Sequence, residues 1–89
     1  KRPSQEAITE NFNQDLFEEL KELRYNLSRQ KGLAPFMIFH DSTLIEMSSL
    51  FPTDKESLLM IRGVGMKKYE SYGEDFIKII RNFSPIQTP

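Results

Sequence analysis

Two glycines one residue apart, with basic side chains on both sides, form the segment of this sequence best suited to bind an anion. Arg62 precedes Gly63-Val64-Gly65, and Lys67 and Lys68 follow it. Glycine reaches backbone angles that a Cβ forbids, so the chain can leave one helix, turn sharply and enter the next. Amide N–H groups exposed at the start of a helix attract phosphate. The segment predicts either a phosphate-binding turn, with the glycine amides facing the anion, or simply a tight turn between packed helices.

An aromatic side chain close in sequence to several cations is the second candidate site. Phe36 follows a proline in an apolar segment that is too short to bury every ring. An exposed ring can stack a nucleotide base, and Arg24, Arg29 and Lys31, just before it in sequence, can contact phosphates. The alternatives are a core position for Phe36 and a solvated helix face for the three cations. Phe39 is expected in the core.

Residue types that support catalysis or metal binding are sparse. His40 beside Asp41 has the order of a base and its orienting carboxylate, but no nucleophile or oxyanion donor is indicated to complete such a site. Glu46 and Asp54 fit helix surfaces and caps better than a metal site. The chain has no cysteine, one histidine and no P-loop. We therefore predict no catalysis, metal or cofactor for this chain.

Hydrophobic periodicity predicts helices along most of the chain and gives no convincing strand. Apolar residues at spacings of four, three and four predict a helix that begins near Asp15 and ends at Gly32. Arg24 falls on or beside its solvent side. The stripe consists of Leu16, Leu20, Leu23 and Leu27.

Side chains that can cap a helix predict the N-terminal ends of two further helices. Asp41, Ser42 or Thr43 can cap a helix that carries Leu44, Met47 and Leu50, and Thr43 with Glu46 fits a capping box. Thr53 with Glu56 fits a second capping box, for a helix that buries Leu58, Leu59 and Ile61.

A long last helix follows the glycine turn. Gly73 lies inside it, where glycine costs about 1 kcal/mol relative to alanine, so a packing reason is expected, such as the close approach of an aromatic ring. The buried stripe of this helix is predicted to be Tyr69, Tyr72, Phe76, Ile79, Ile80 and Phe83. The fold prediction is an all-α, compact bundle of about five helices over residues 14–83, between a polar arm at 1–13, which Ala7, Ile8 and Phe12 can dock on the core, and a tail at 84–89.

Charge is unevenly distributed along the 89 residues, although the net charge is only −1. Residues 1–34 are balanced, residues 35–60 sum to −3 (one basic against four acidic) and residues 61–89 to +2 (five basic against three acidic). Dedicated nucleic-acid binders are usually more basic. Any binding to a polyanion should therefore be weak, confined to one face and strongly dependent on salt. No apolar stretch approaches the length of a membrane span, so an intracellular domain is expected.

An ordered set of residues from about Asp15 to Phe83 resembles the HRDC domain, named for helicase and RNase D C-terminal. No single motif in this set is specific to the family, but the order and spacing of the whole set are. The residues that carry the resemblance are Leu16-Phe17, Leu20, Leu23-Arg24, Ala34 to Leu44, Glu46-Met47, Pro52, Leu58-Leu59, Ile61, Gly63-Val64-Gly65, Lys68, Glu70, Tyr72-Gly73 and Phe76.

The resemblance, closest to the RecQ DNA helicase branch, implies a five-helix accessory module in a longer protein whose ATP and Mg²⁺ belong to a motor upstream. It implies weak binding of single-stranded or structured DNA, in the cytoplasm or nucleoid if the source is bacterial. Bacterial members often have a tyrosine where this chain has Phe36, so stacking is retained and a hydroxyl is lost. The residues assigned to DNA are Phe36, Arg24, Arg29 and Lys31, with Arg62, Lys67, Lys68, Gly63 and Gly65 as a second patch.

Two alternatives keep this fold and change the partner. Some family members have neutral or acidic surfaces and serve protein contacts. The acidic stretch from Asp41 to Glu56 can likewise face the helicase core or another protein. The other alternative is an RNase D-type parent, for which the module would bind structured RNA.

Overall fold

Five helices follow one another in residues 12–83, the part of the chain that the computed structural model describes, and no strand occurs there. They are α1 (Gln14–Lys31), α2 (Pro35–Ile38), α3 (Asp41–Leu50), α4 (Lys55–Leu59) and α5, which runs through Met66–Lys68, Tyr69–Gly73 and Glu74–Phe83. The all-α prediction is confirmed. The predicted tail at 84–89 and the arm, apart from Phe12 and Asn13, lie outside the described residues. No helix within them is long and apolar enough to cross a membrane.

Helix α1 has the predicted leucine stripe, and both of its ends are capped. Leu16, Leu20 and Leu27 are buried, while Leu23 packs against the core from its edge. The Leu16 amide donates to Asn13 Oδ1 at 2.8 Å, and Gly32 closes the helix in the left-handed conformation. The cap at Asn13 places this residue inside the folded domain rather than in an arm.

Arg24 is buried, which corrects the prediction that it lies on the solvent side of α1. Only 8% of its surface is accessible to solvent. One guanidinium nitrogen donates to the Phe39 carbonyl at 2.8 Å, and another lies 2.7 Å from the Asp41 carboxylate. These bonds compensate a cation that would be costly to bury alone, so the arginine side chain joins α1 to the corner between α2 and α3.

Helix α3 begins at Asp41, but its caps differ from the prediction. His40 is the N-cap residue and makes no side-chain capping bond. Thr43 donates instead to the Arg62 carbonyl at 2.9 Å, and Glu46 accepts from the Arg62 amide at 2.9 Å. The expected Thr43–Glu46 capping box is therefore wrong, because both side chains fasten α3 to the glycine turn. Of the three apolar residues that this helix carries, Leu44 and Met47 are buried and Leu50 is exposed.

The capping box of α4 lies one residue later than predicted. Asp54 is the N-cap, and its carboxylate accepts from the Ser57 amide at 2.9 Å, while the Asp54 amide donates back to the Ser57 hydroxyl. The predicted Thr53–Glu56 box is wrong. Hydrogen bonds from Ser57 lower the pKa of Asp54, so this cap stabilises the fold above the pKa of an unfolded aspartate and weakens as pH falls through the lower folded value.

Helix α5 contains a π-helical turn at Tyr69–Gly73. The Tyr69 ring lies so close to Gly73 that a Cβ there would overlap its ring carbons. This close approach is the packing reason predicted for a glycine inside the helix. Beyond the turn, Phe76, Ile77 and Ile80 enter the core.

The interior is centred on Phe39, which is fully buried as predicted. Its ring packs edge-to-face on Phe76 with centroids 5.0 Å apart, and on Tyr72 at 6.1 Å. Phe12 packs in the same way on Phe17 at 5.3 Å, as the predicted docking of that residue requires; Ala7 and Ile8 lie outside the described residues. The packing of Phe39 fixes the short α2 segment against α5.

Replacing Gly63 with alanine should destabilise the domain by about 2 kcal/mol. Gly63 has φ +89°, and a Cβ would overlap the Thr43 hydroxyl that holds the turn. The measurement is the free energy of unfolding in urea.

Gly65→Ala is the matched control, because a Cβ at Gly65 meets nothing within 4 Å and its φ is −92°. We expect this change to cost less than about 1 kcal/mol, the loss of a favourable N-cap residue. Equal destabilisation by the two variants would contradict the role given to Gly63.

Candidate nucleic-acid interface

Phe36 lies on the surface, as the sequence analysis proposed for a stacking residue. It is the second residue of α2, and 59% of its surface is exposed. A proline at the first position starts this four-residue helix, and the burial of Ile38 and Phe39 attaches it to the core. Because the buried residues follow on the other side of the short helix, the Phe36 ring projects from a fixed support.

Two lysines from different helices lie over the aromatic rings next to this support. The Lys68 ammonium is 5.8 Å from the centroid of the Phe39 ring, and the Lys31 ammonium is 5.8 Å from that of Tyr72. Since Phe39 and Tyr72 contact each other, these contacts form a continuous series from the end of α1 to the start of α5. Lys31 was assigned to one predicted patch and Lys68 to the other, and the fold brings them to one region.

We call Phe36, Lys31 and Lys68 the Phe36 surface. A cation above an aromatic face is held by the ring quadrupole, so the two ammonium groups have preferred positions although their side chains are long. Lys31 is exposed and Lys68 half-buried. An exposed ring on α2, with one cation placed over Phe39 and another over the adjoining Tyr72, has the components for stacking one base and contacting phosphates.

Arg24 does not contribute a free cation to this surface. Its guanidinium is engaged by the Phe39 carbonyl and Asp41, and its Nε finds no acceptor among the described residues. The assignment of Arg24 as a phosphate contact is therefore corrected: the side chain supports the corner that carries Phe36.

Arg29 points away from Lys31. Two residues along a helix differ by about 200° around its axis. On that outer side the Arg29 guanidinium lies over the exposed Tyr25 ring, 5.7 Å from its centroid, and donates to the tyrosine hydroxyl at 3.2 Å. The structure thus separates Arg29 from the Phe36 surface.

Arg62 and Lys67 are exposed at the glycine turn, where two backbone amides next to the glycines are bonded within the chain. The Arg62 amide is bonded to Glu46, and the Val64 amide donates to the Ile61 carbonyl at 3.1 Å. The Glu46 carboxylate already places one negative charge there. The turn has a packing role, and a phosphate contact at its glycines stays a prediction.

Within residues 12–83, no group of three or more histidine or acidic side chains lies close enough to hold a metal ion. His40 has a different arrangement from a catalytic base. Its ring stacks on Phe36 with centroids 6.2 Å apart and an interplanar angle of 24°, while the neighbouring Asp41 carboxylate pairs with Arg24.

Sequence reasoning missed two contributors to this region. Tyr72 was predicted only as a core residue, yet it is the ring over which Lys31 lies. His40 was considered as an incomplete catalytic base, and helical spacing does not predict its contact with Phe36, because α2 ends at Ile38 and the backbone of the next two residues is extended.

The comparisons with known proteins agree with this fold. The family model described as the HRDC domain matches residues 13–80. The chain belongs to the HRDC domain family. A solved structure titled D. radiodurans RecQ HRDC domain 3 superposes with a TM-score of 0.74 at 33% identity, covering 78% of this chain and 91% of that one.

The similar full-length proteins are helicases. An ATP-dependent DNA helicase RecQ of Bacillus subtilis is 41% identical over 88% of this chain, and that of Haemophilus influenzae is 33% identical over 94%. The ATP-dependent DNA helicase UvrD2 of Mycobacterium tuberculosis is 32% identical over 85%. The chain spans only 13% of the length of the two RecQ relatives and 11% of UvrD2, so it corresponds to a small accessory domain of those proteins.

Arg24→Lys should destabilise the domain by about 1–2 kcal/mol, because an ammonium cannot reproduce the fork that reaches the Phe39 carbonyl and Asp41 together. Part of the pair is screened by water, since the Asp41 side chain is 67% exposed, which keeps the expected loss moderate. Urea unfolding measures the change.

Arg29→Lys on the outer side of α1 serves as the control and should change the stability by less than about 0.5 kcal/mol. If the Arg24 variant were as stable as this control, Arg24 would not hold the corner.

Proposed function

We propose that this domain is an accessory DNA-binding module of a RecQ-type helicase, which weakly binds single-stranded or structured DNA and positions the motor on its substrate. The observation that carries the proposal is an exposed Phe36 ring on a short helix that Phe39 anchors to the core, with the Lys68 ammonium over the Phe39 ring and the Lys31 ammonium over the adjoining Tyr72 ring. The names of the relatives, ATP-dependent DNA helicases, favour DNA as the polyanion. ATP and Mg²⁺ then belong to the motor of the longer protein, and the setting is intracellular.

The supported site is smaller than the one drawn from the sequence. Phe36, Lys31 and Lys68 are its centre; Arg62 and Lys67 are a secondary patch at the glycine turn, and Arg29 lies on another face. One ring supplies stacking for one base, worth about 1–3 kcal/mol. Two or three cations supply few phosphate contacts. Binding of this size falls in the non-specific range, with a Kd of about 10⁻⁴–10⁻⁶ M at physiological salt.

A second candidate function is docking on the helicase core or on another protein. The observation that favours it is the exposure of Leu50 and Met60, two large apolar side chains. The acidic stretch from Asp41 to Glu56 supports it less, because Glu46 and Asp54 bond to groups of their own chain. A cross-link between this domain and the rest of the longer protein that disappears in Met60→Ser or Glu56→Lys, with DNA affinity unchanged, would favour docking.

An RNase D-type parent remains a further alternative with the same fold. Titration with RNA and DNA oligonucleotides of equal length and sequence separates the two. Tighter binding to RNA would support that parent, and tighter binding to DNA the helicase.

Phe36→Ala should weaken binding to a fluorescently labelled single-stranded oligonucleotide at low salt by about 5- to 150-fold, the loss of one stacked base. Fluorescence anisotropy measures the affinity. Met37→Ala is the matched control, since Met37 is the next residue of α2, is 49% exposed and has no ring. Unchanged affinity in Phe36→Ala would remove the stacking role, and no binding even at low salt would refute the proposed function.

Lys31→Gln and Lys68→Gln should each weaken binding and lower the slope of log K against log salt concentration by about 0.7, the value for one phosphate contact on a single strand. Lys78→Gln, further along α5, should leave the slope unchanged. Equal slopes for all three variants and the unmodified chain would show that the two lysines do not contact the strand.

A further inference from the structure

The Phe36 ring has an aromatic neighbour that the proposed function does not use. His40 lies four residues after Phe36, beyond the end of α2, and the two ring planes differ by only 24° with centroids 6.2 Å apart. Both residues are exposed. The imidazole therefore extends the aromatic surface from one ring to two nearly parallel rings.

The charges at this corner leave a place for another cation. Asp41 is the acidic residue next to His40, and its carboxylate is paired with the Arg24 guanidinium at 2.7 Å. Lys68 at the start of α5 lies over the ring of Phe39, the residue before His40, and Lys31 at the end of α1 lies over Tyr72, which contacts Phe39. A protonated imidazole would add a positive charge next to the Phe36 ring, where a phosphate is expected next to a stacked base.

We propose that His40 contacts the same DNA strand as Phe36, extending the stacking surface as a neutral ring and adding a phosphate contact when it is protonated. This inference rests on the proposed function, since it concerns the same strand. Histidine is the side chain that gains charge between about pH 8 and pH 5. DNA binding by this domain is therefore tighter when the imidazole is charged than when it is neutral.

The composition of the chain makes this pH dependence easy to assign. His40 is the single histidine, and there is no cysteine. The α-amino group is the other group that titrates near neutral pH, so a variant at His40 is needed to separate them. A thymidine homopolymer is the suitable probe, because thymine does not titrate in this interval.

The experiment measures the affinity of the 89-residue chain for a labelled oligothymidylate over a range of salt concentrations, at about pH 8 and about pH 6. For the unmodified chain, the slope of log K against log salt concentration should steepen at the lower pH by up to about 0.7, the value of one added phosphate contact. His40→Phe keeps a ring and cannot be protonated. It should bind as the unmodified chain does at about pH 8 and lose the steepening.

His40→Ala removes ring and charge together and should weaken binding at about pH 8 by at least about fivefold, the lower limit for a stacked ring. Thermal unfolding shows whether each variant is folded. An independent readout on the unmodified chain is the histidine ring resonance in a proton NMR titration with the oligonucleotide, which should shift on binding at both pH values.

The outcomes separate this inference from the proposed function. If Phe36→Ala weakens binding, while His40→Ala and His40→Phe match the unmodified chain at both pH values, the His40 inference is overturned and the function stands. If the unmodified chain does not bind, both fail. If the salt slope of His40→Phe still steepens at the lower pH, the effect belongs to the amino terminus and the phosphate contact of His40 is overturned.

Discussion

The bonds of the Arg24 guanidinium are the interaction on which the geometry of the Phe36 surface depends. A four-residue helix such as α2 has no stability of its own, because helix nucleation is unfavourable. Its far end is held by the bond from Arg24 to the Phe39 carbonyl, and the start of α3 by the ion pair with Asp41. One planar side chain on a long helix thus fixes the corner from which Phe36 and His40 project. Lysine, a point charge on a flexible stem, has no such fork.

The second constraint is the aromatic packing beneath the surface. Phe39 contacts Phe76 and Tyr72 edge-to-face in the core, and the outer parts of Phe39 and Tyr72 lie beneath Lys68 and Lys31. The same rings therefore serve the interior and position the surface cations. A change in the core at Tyr72 would move Lys31 as well as reduce stability, so stability and affinity are coupled there through one side chain.

The sequence was sufficient to predict the helices and much of the core, because the leucines of α1 and the apolar residues of α5 recur at helical spacing. The end of α1 was also predictable, because glycine readily adopts the left-handed conformation that Gly32 has there. The sequence also predicted that Phe39 is buried, while it left Phe36 open between the surface and the core. It failed where a polar side chain has a distant partner. Arg24, Thr43 and Glu46 each look like surface or cap residues locally, yet each bonds to a residue at least 15 positions away. Periodicity contains no information about such contacts, and the assignment of Arg24 as a free phosphate contact follows from this.

The net charge of the chain is a poor guide to the field at Phe36. Charges further apart than about 8–10 Å are screened at physiological salt, so the groups at the corner decide the local potential. Glu46 lies against the glycine turn and Asp54 caps α4, while Asp41, the acidic residue at the corner, is paired with Arg24. Lys68 and Lys31 lie over Phe39 and Tyr72, the rings next to this corner. An acidic middle third is therefore compatible with cations close to the exposed ring, and under the proposed function this arrangement favours weak binding that salt readily reverses.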